Sequence, residues 1–400
     1  MISSWIRMFM LAGLLLSLTG CWNRREMNEL AITVGMGIDK AEHGYRVSVQ
    51  IVDPGEVASK KGGSARSTVT VFQAVGNSIF EALRKITEES PRKLYHAHLR
   101  IFVLGESLSR SGIAEALDFI SRDHELRTDF FIVVSKGSEA QDILKVLTPL
   151  ADVPAEKMYS SLETAQKAWA PATTTTLDNL ITDLTSEGKE PVLTSIKVTG
   201  NKETGAAQEN VTTLDPSARL YYSGLALFKK DKLIGWFNEV ESKGYNYVVD
   251  KVENSVGSIP CPDGGKLTIE VIRSKTEVKG QVIDGNPVAE VYIRNEDNIG
   301  EVHCHIDLTD TQQLAALEKL AEKQVKELAE NSIRVVQQKY RADVFGFGEV
   351  IHRSNPKEWE RLKQNWDEHF ANMRIVVKSD VKIRRLGTIG NSFIEEIKEK

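Results

Sequence analysis

Residues 130–134 read Phe-Phe-Ile-Val-Val, five large apolar side chains in succession. Successive residues of a strand point to opposite faces, so a strand of this composition has to be buried on both. A sheet covered by helices on each side meets that demand, and such sheets are built from parallel strands joined by crossover helices. The surrounding sequence fits. Leu99–Leu104 (LRIFVL) is a second short apolar run. Helical spacing appears at Ile79, Phe80, Leu83 and Ile86, with Asn77 as N-cap and Pro91 as the stop, and again near Leu108–Ile120 and Ser138–Leu147. Residues 30–52 predict two strands around a Lys40–Gly44 turn, hence a hairpin, and Ser67–Val75 a third extended run. Strands alternating with helices of this length predict βαβ units and a partly parallel sheet.

Helical patterns continue from Val153 to Glu187, broken by Pro171 and four threonines, and Val192–Val198 predicts a strand. Residues 199–217 carry few large apolar side chains and many Gly, Asn and Thr, the composition of a linker or a long surface loop. Beyond them the texture changes. Leu220–Phe228, Leu267–Arg273, Val278–Ile283, Val288–Arg294 and Glu301–Leu308 alternate in polarity, with Asp284-Gly285-Asn286 as a turn, and predict an antiparallel meander. A long helix is expected over Thr311–Tyr340 and another opening at Asn355-Pro356, with Trp359, Leu362, Trp366 and Phe370 as its buried stripe. Arg374–Arg384 closes as an alternating strand. The expected fold is therefore α+β (mixed α/β) and multi-domain. Residues 21–198 form an N-terminal region, with a split near 150 left open, and residues 218–393 a C-terminal domain of meander and long helices.

The first twenty residues are set apart. Met8–Leu18 is an apolar run of eleven residues, and Leu18-Thr19-Gly20-Cys21 follows at once. As a helix the run reaches ~16 Å, about half of a hydrocarbon core. It reads as the apolar segment of a signal peptide, residues 1–20, rather than a membrane span. Leu-Thr-Gly-Cys looks like a bacterial lipobox, with Cys21 as the lipidated first residue of the mature chain. A lipobox cysteine carries a diacylglyceryl group, hence two acyl chains in all, and two chains anchor where one binds marginally. The expected location is the outer face of a membrane. Cys261 and Cys304 remain as spare thiols, and their spacing leaves open whether they pair.

Charge and composition exclude several classes. The 400 residues include 51 Lys and Arg against 56 Asp and Glu, a net charge of −5, so nothing calls for a nucleic-acid partner. With 41% apolar and 27% charged residues, the chain is neither disordered, collagenous nor multi-spanning. No complete catalytic motif appears. Gly35-Met-Gly37 lacks the third glycine of a dinucleotide loop, and Asp39 comes too early for a ribose partner. Gly346 and Gly348 fit a tight bend better than a phosphate. His96 and His98, and likewise His303 and His305, stand two apart as zinc-ligand pairs can, but neither pair has a third ligand nearby in sequence. Asp123-His124-Glu125 has the residue types of an acid–base site at an expected helix end, where such charges are normally solvated. Lys60, Lys61 and Arg66 lie among small residues in a stretch of loop composition. No enzyme, metal or cofactor is expected. These residues alone give a lipid-anchored binding or interaction protein.

Longer motifs say more. The run from Cys21 to Asp39 (CWNRREMNELAITVGMGID) resembles the mature start of the Ger(x)C family, the lipoprotein C subunits of spore germinant receptors. Further stretches resemble it in order: His96–Ile113, Leu117–Val134, Ser223–Phe237 and Ala342–Phe370. The resemblance implies a subunit needed for nutrient-triggered germination, partnered with integral-membrane A and B subunits in the inner spore membrane. It carries over Cys21 alone as a functional residue, for lipidation. The expected role is a non-enzymatic scaffold. The alternative is a solute-binding lipoprotein that captures a small nutrient itself, which would need a cleft with convergent polar groups.

Overall fold

The computed structural model describes residues 4–6, 8, 29–53, 67–261, 264–304 and 306–385. The rest of the signal peptide, with its apolar run beyond Met8, and Cys21, Lys60, Lys61, Arg66 and His305 lie outside them.

Thirteen strands, β1 to β13 in chain order, form two sheets among these residues. The first contains β1 (Leu30–Lys40), β2 (Tyr45–Val52), β3 (Val69–Gly76), β4 (Lys93–Tyr95), β5 (Ile101–Leu104), β6 (Phe131–Ser135), β7 (Val192–Gly200), β8 (Ala218–Lys229) and β9 (Lys232–Trp236). Its order is β3-β2-β1-β5-β6-β7-β8-β9, with β4 pairing β1. The centre is parallel: β5 lies between β1 and β6, and β7 follows β6 in the same sense. The flanks are antiparallel, β1 to β2 to β3 on one side and β7 to β8 to β9 on the other.

The apolar runs explain the layering. Phe102, Leu104, Ile132 and Val134 join a core with helices Ile79–Ile86, Ala114–Arg122 and Leu177–Thr185. Their strand neighbours Ile101, Val103, Phe131 and Val133 join a second core with helices Ala140–Lys145 and Pro154–Trp169. The sheet is thus covered on both faces, as the Phe130–Val134 run requires. Gly112, at φ 133°, splits the expected Leu108–Ile120 helix into Glu106–Ser111 and Ala114–Arg122. Helix Ile79–Ile86 is capped by Ser78, one residue beyond the expected Asn77, with Ser78 Oγ accepting from Glu81 N at 3.1 Å.

The second sheet has the order β10 (Ser255–Pro260), β11 (Lys266–Ile283), β12 (Asn286–His303) and β13 (Arg374–Arg385). The expected meander segments merge here. Leu267–Arg273 and Val278–Ile283 are one strand, and β12 runs back along it in register from Asn286. Leu220–Phe228 belongs elsewhere: as β8, with β9, it completes the first sheet. The long helix Thr311–Val335 packs Leu317, Ala321, Val325 and Ala329 into this half's core and ends in a π-helical turn, Val336–Tyr340. Trp359, Trp366 and Phe370 join the same core, with the two indoles edge to face at 5.0 Å. That core also contains Val192, Leu225 and Leu227 of the first sheet, so the two halves share apolar packing. A disulfide joins Cys261 to Cys304, tying the end of β10 to the residue after β12. Strand pairing brings these residues together across 43 positions, which is why their sequence spacing left the pairing open.

Candidate functional site

The residue groups singled out in the sequence separate in space. His96 is buried, whereas His98 lies against the Tyr95 ring at 5.9 Å on the exposed side. His303 sits beside Glu301 at 3.4 Å, and Cys304 is held in the disulfide. Among the described residues, no group of three or more His, Cys, Asp or Glu converges as metal ligands would. Asp123 accepts a hydrogen bond from Glu125 N at 2.9 Å, and Glu125 pairs with Lys93.

The β1 glycines serve packing. A Cβ on Gly35 would lie 3.0 Å from Leu144, and one on Gly37 3.0 Å from Ala140, so both let helix Ala140–Lys145 lie directly on the strand. Asp39 caps that helix, accepting from Ala140 N at 2.7 Å and Gln141 N at 3.1 Å. Burial raises its carboxyl pKa, and the two amide donors oppose the rise.

A cleft of about 1040 Å³ opens where the halves meet. Helices Ala114–Arg122 and Leu177–Thr185 line one side and residues 363–368 the other. Its architecture depends on Asp343, a fully buried carboxylate that sequence patterns did not mark. Asp343 Oδ1 accepts from Phe345 N at 3.2 Å and Gly346 N at 2.9 Å. Its Oδ2 accepts from Gly348 N at 2.8 Å and Trp366 Nε1 at 3.1 Å. Burial pushes its pKa up to about 6 against these four donors. Gly346 takes φ 81°, the left-handed backbone that turns the chain around the carboxylate. The segment before β7 docks onto this turn. Glu190 N donates to Asp343 O at 2.8 Å, and Gly188 crosses Gly348 so closely that a Cβ on either would come within 2.6 Å of the other's backbone.

Charges lock the rim. Lys229 pairs with Asp367 at 2.6 Å, Lys363 with Glu187 at 3.2 Å, and Lys189 with the half-sequestered Asp183 at 2.8 Å. Burial raises the pKa of both Asp183 and Glu190. Ser186, the hydroxyl nearest this docking segment, donates to Glu349 at 2.8 Å rather than to a histidine. The arrangement fixes one half against the other and presents a polar surface. Asp343 is held by backbone and indole donors, Asp183, Glu187 and Asp367 by lysines, and Glu349 by the Ser186 hydroxyl.

Residues 23–198 match the family model described as the spore germination protein N-terminal domain, and residues 223–387 the one described as spore germination B3/GerAC like, C-terminal. The chain is 31% identical to spore germination protein KC of Bacillus subtilis (strain 168), over 96% of each chain. It is 24% identical to spore germination protein B3 of the same organism, over 94% of this chain and 96% of that one. The crystal structure of the GerBC protein shares the fold, with a TM-score of 0.54 over 87% of this chain and 96% of that one, at 20% identity. The chain belongs to the Ger(x)C family of spore germination proteins.

Proposed function

We propose that this protein is the lipid-anchored, non-enzymatic C subunit of a spore germinant receptor, assembling with integral-membrane A and B subunits. The observation that carries the reading is similarity to spore germination proteins over 96% of the chain, combined with Leu-Thr-Gly-Cys21 directly after an apolar run too short to span a bilayer. No helix among the described residues is long and apolar enough to cross a membrane. Leu30 stands nine positions after Cys21, a reach of ~30 Å when extended. The body is then held beside the bilayer, at high effective concentration relative to membrane partners, and modest contacts suffice for assembly. Two leucines support such a contact surface. Leu150 and Leu214 are 103% and 106% exposed on loops that are tied together, Leu147 N donating to Gly205 O at 2.9 Å and Asn210 Nδ2 to Leu147 O at 2.7 Å.

The test uses spores of the native host lacking this gene, complemented with wild type or Cys21→Ala. Dipicolinate release is followed after nutrients and after a trigger that bypasses receptors. Loss of the nutrient response alone, restored by wild type and not by Cys21→Ala, is expected. A normal nutrient response in spores also lacking the related receptors would overturn the reading.

A further inference from the structure

The two sheet orders end in the edge strands β3, β9, β10 and β13, and an edge offers unpaired backbone N–H and C=O groups to any other strand. Three of these edges are guarded. On β13, Glu318 Oε1 accepts from Ile383 N at 3.0 Å, and Lys378, Asp380, Lys382 and Arg384 alternate along the strand. On β10, Gln324 Nε2 donates to Ser258 O at 2.8 Å. On β9, which is only five residues long, the Tyr340 hydroxyl donates to Trp236 O at 3.3 Å. β3 is different. Its eight residues, Val-Thr-Val-Phe-Gln-Ala-Val-Gly, contain no charge and no proline, and they pair with β2 without a bulge. Proteins avoid a long uncharged edge unless something covers it.

The register shows which backbone groups of β3 are open. Asp53 N donates to Thr68 O at 2.9 Å, just before β3 begins, and bonded pairs recur at every second residue of an antiparallel ladder. The even-numbered residues of β3 therefore bond to β2. The odd-numbered ones, Val69, Val71, Gln73 and Val75, turn their N–H and C=O groups outward. The two at the ends are capped locally: Ser67 Oγ accepts from Val69 N at 3.4 Å, and Lys85 Nζ donates to Val75 O at 3.2 Å. Among the described residues, the outward groups of Val71 and Gln73 have no partner. These two residues stand symmetrically about Phe72.

That symmetry names the occupant. We propose that β3 pairs antiparallel with β3 of a second copy of this chain, about a twofold axis through Phe72. Val71 of each copy then exchanges both backbone hydrogen bonds with Gln73 of the other, and the capped groups of Val69 and Val75 stay capped. Phe72 meets Phe72 at the close, non-hydrogen-bonded position on the axis, and Thr70 meets Ala74. An uncharged strand meets its own copy without a like-charge pair. Moving the axis to Gln73 would instead pair Val71 with Val75, whose carbonyl Lys85 already holds. The contact is isologous and closed, so it consumes the edge in a dimer and leaves no open strand for further growth. The proposal does not depend on the receptor assembly described above.

Sedimentation of the full mature protein in detergent, over a series of concentrations, tests it, and a concentration-dependent dimer is expected. Gln73→Pro removes one outward N–H and leaves the bonds to β2 in place, so it is expected to weaken the dimer about tenfold or more with an unchanged circular-dichroism spectrum. Thr70→Cys and Ala74→Cys read the register, because the ~4.5 Å Cα separation of that position suits a disulfide. Oxidation of an equimolar mixture of the two is expected to give a crosslinked dimer. Either variant alone is expected to give several-fold less, and serves as the control for any other thiol. The cysteine pair keeps the test decisive if the proline variant fails to fold. A protein that is monomeric at every concentration would overturn the proposal and leave this edge to a strand of another protein. A Gln73→Pro dimer as tight as wild type, or equal crosslinking in the mixture and in the single variants, would overturn it as well.

Discussion

Asp297 gives a stability test with a definite sign. It sits on the inner face of β12, fully buried, with neither carboxylate oxygen hydrogen-bonded, beside Asn295 and the Tyr247 ring. Burial alone pushes its pKa up to about 7 from 3.8. The folded state therefore holds the proton more tightly than the unfolded chain does. The stability this group supplies is complete below about pH 4, falls as pH rises, and is lost once pH passes about 7. That rise in pKa corresponds to ~4 kcal/mol over the whole window, of which ~3 kcal/mol falls between pH 5 and 7. Asp297→Asn keeps the shape and removes the titration. Urea unfolding of wild type and variant at pH 5 and pH 8 is the assay. The difference between the two proteins is expected to change by ~3 kcal/mol in favour of the variant at pH 8, and groups common to both cancel. A difference that stays constant across pH would refute the reasoning, since it would mean that Asp297 is ionised or neutral in both states alike.

Three further outcomes are expected. Reducing the Cys261–Cys304 disulfide, or replacing both residues with Ser, should lower stability by up to ~4 kcal/mol, from the entropy of a loop spanning 43 positions, read as a lower urea midpoint with and without reductant. Gly188→Ala should destabilise by ~1–3 kcal/mol, because its Cβ meets the Gly348 backbone at 2.6 Å and backbone cannot swing aside, and thermal unfolding reads this out. The pair Leu150→Asp and Leu214→Asp should change stability by no more than about 0.5 kcal/mol, since both side chains are in solvent, while nutrient-triggered dipicolinate release is lost.

Local pattern carried much of this protein. The Phe130–Val134 run dictated a strand covered on both faces, because alternation along a strand leaves consecutive apolar residues no solvent side. The Lys40–Gly44 and Asp284-Gly285 turns, the long helix and the Trp359/Trp366 stripe were legible for the same reason: turn chemistry and periodicity act over a few residues. What pairs with what was not legible. Periodicity marked Leu220–Phe228 as a strand but could not say that β8 would extend the first sheet, because strand partners are chosen by distant backbone and shared core. The histidine pairs had zinc-ligand spacing but no third ligand in sequence, and the fold buried His96 while leaving His98 at the surface. Asp343 carried no motif, since a carboxylate becomes a keystone only when Phe345, Gly346, Gly348 and Trp366 turn their N–H groups towards it. Short-range sterics and burial period are written in consecutive residues, whereas convergence of unlike groups at one point exists only after the chain has closed on itself.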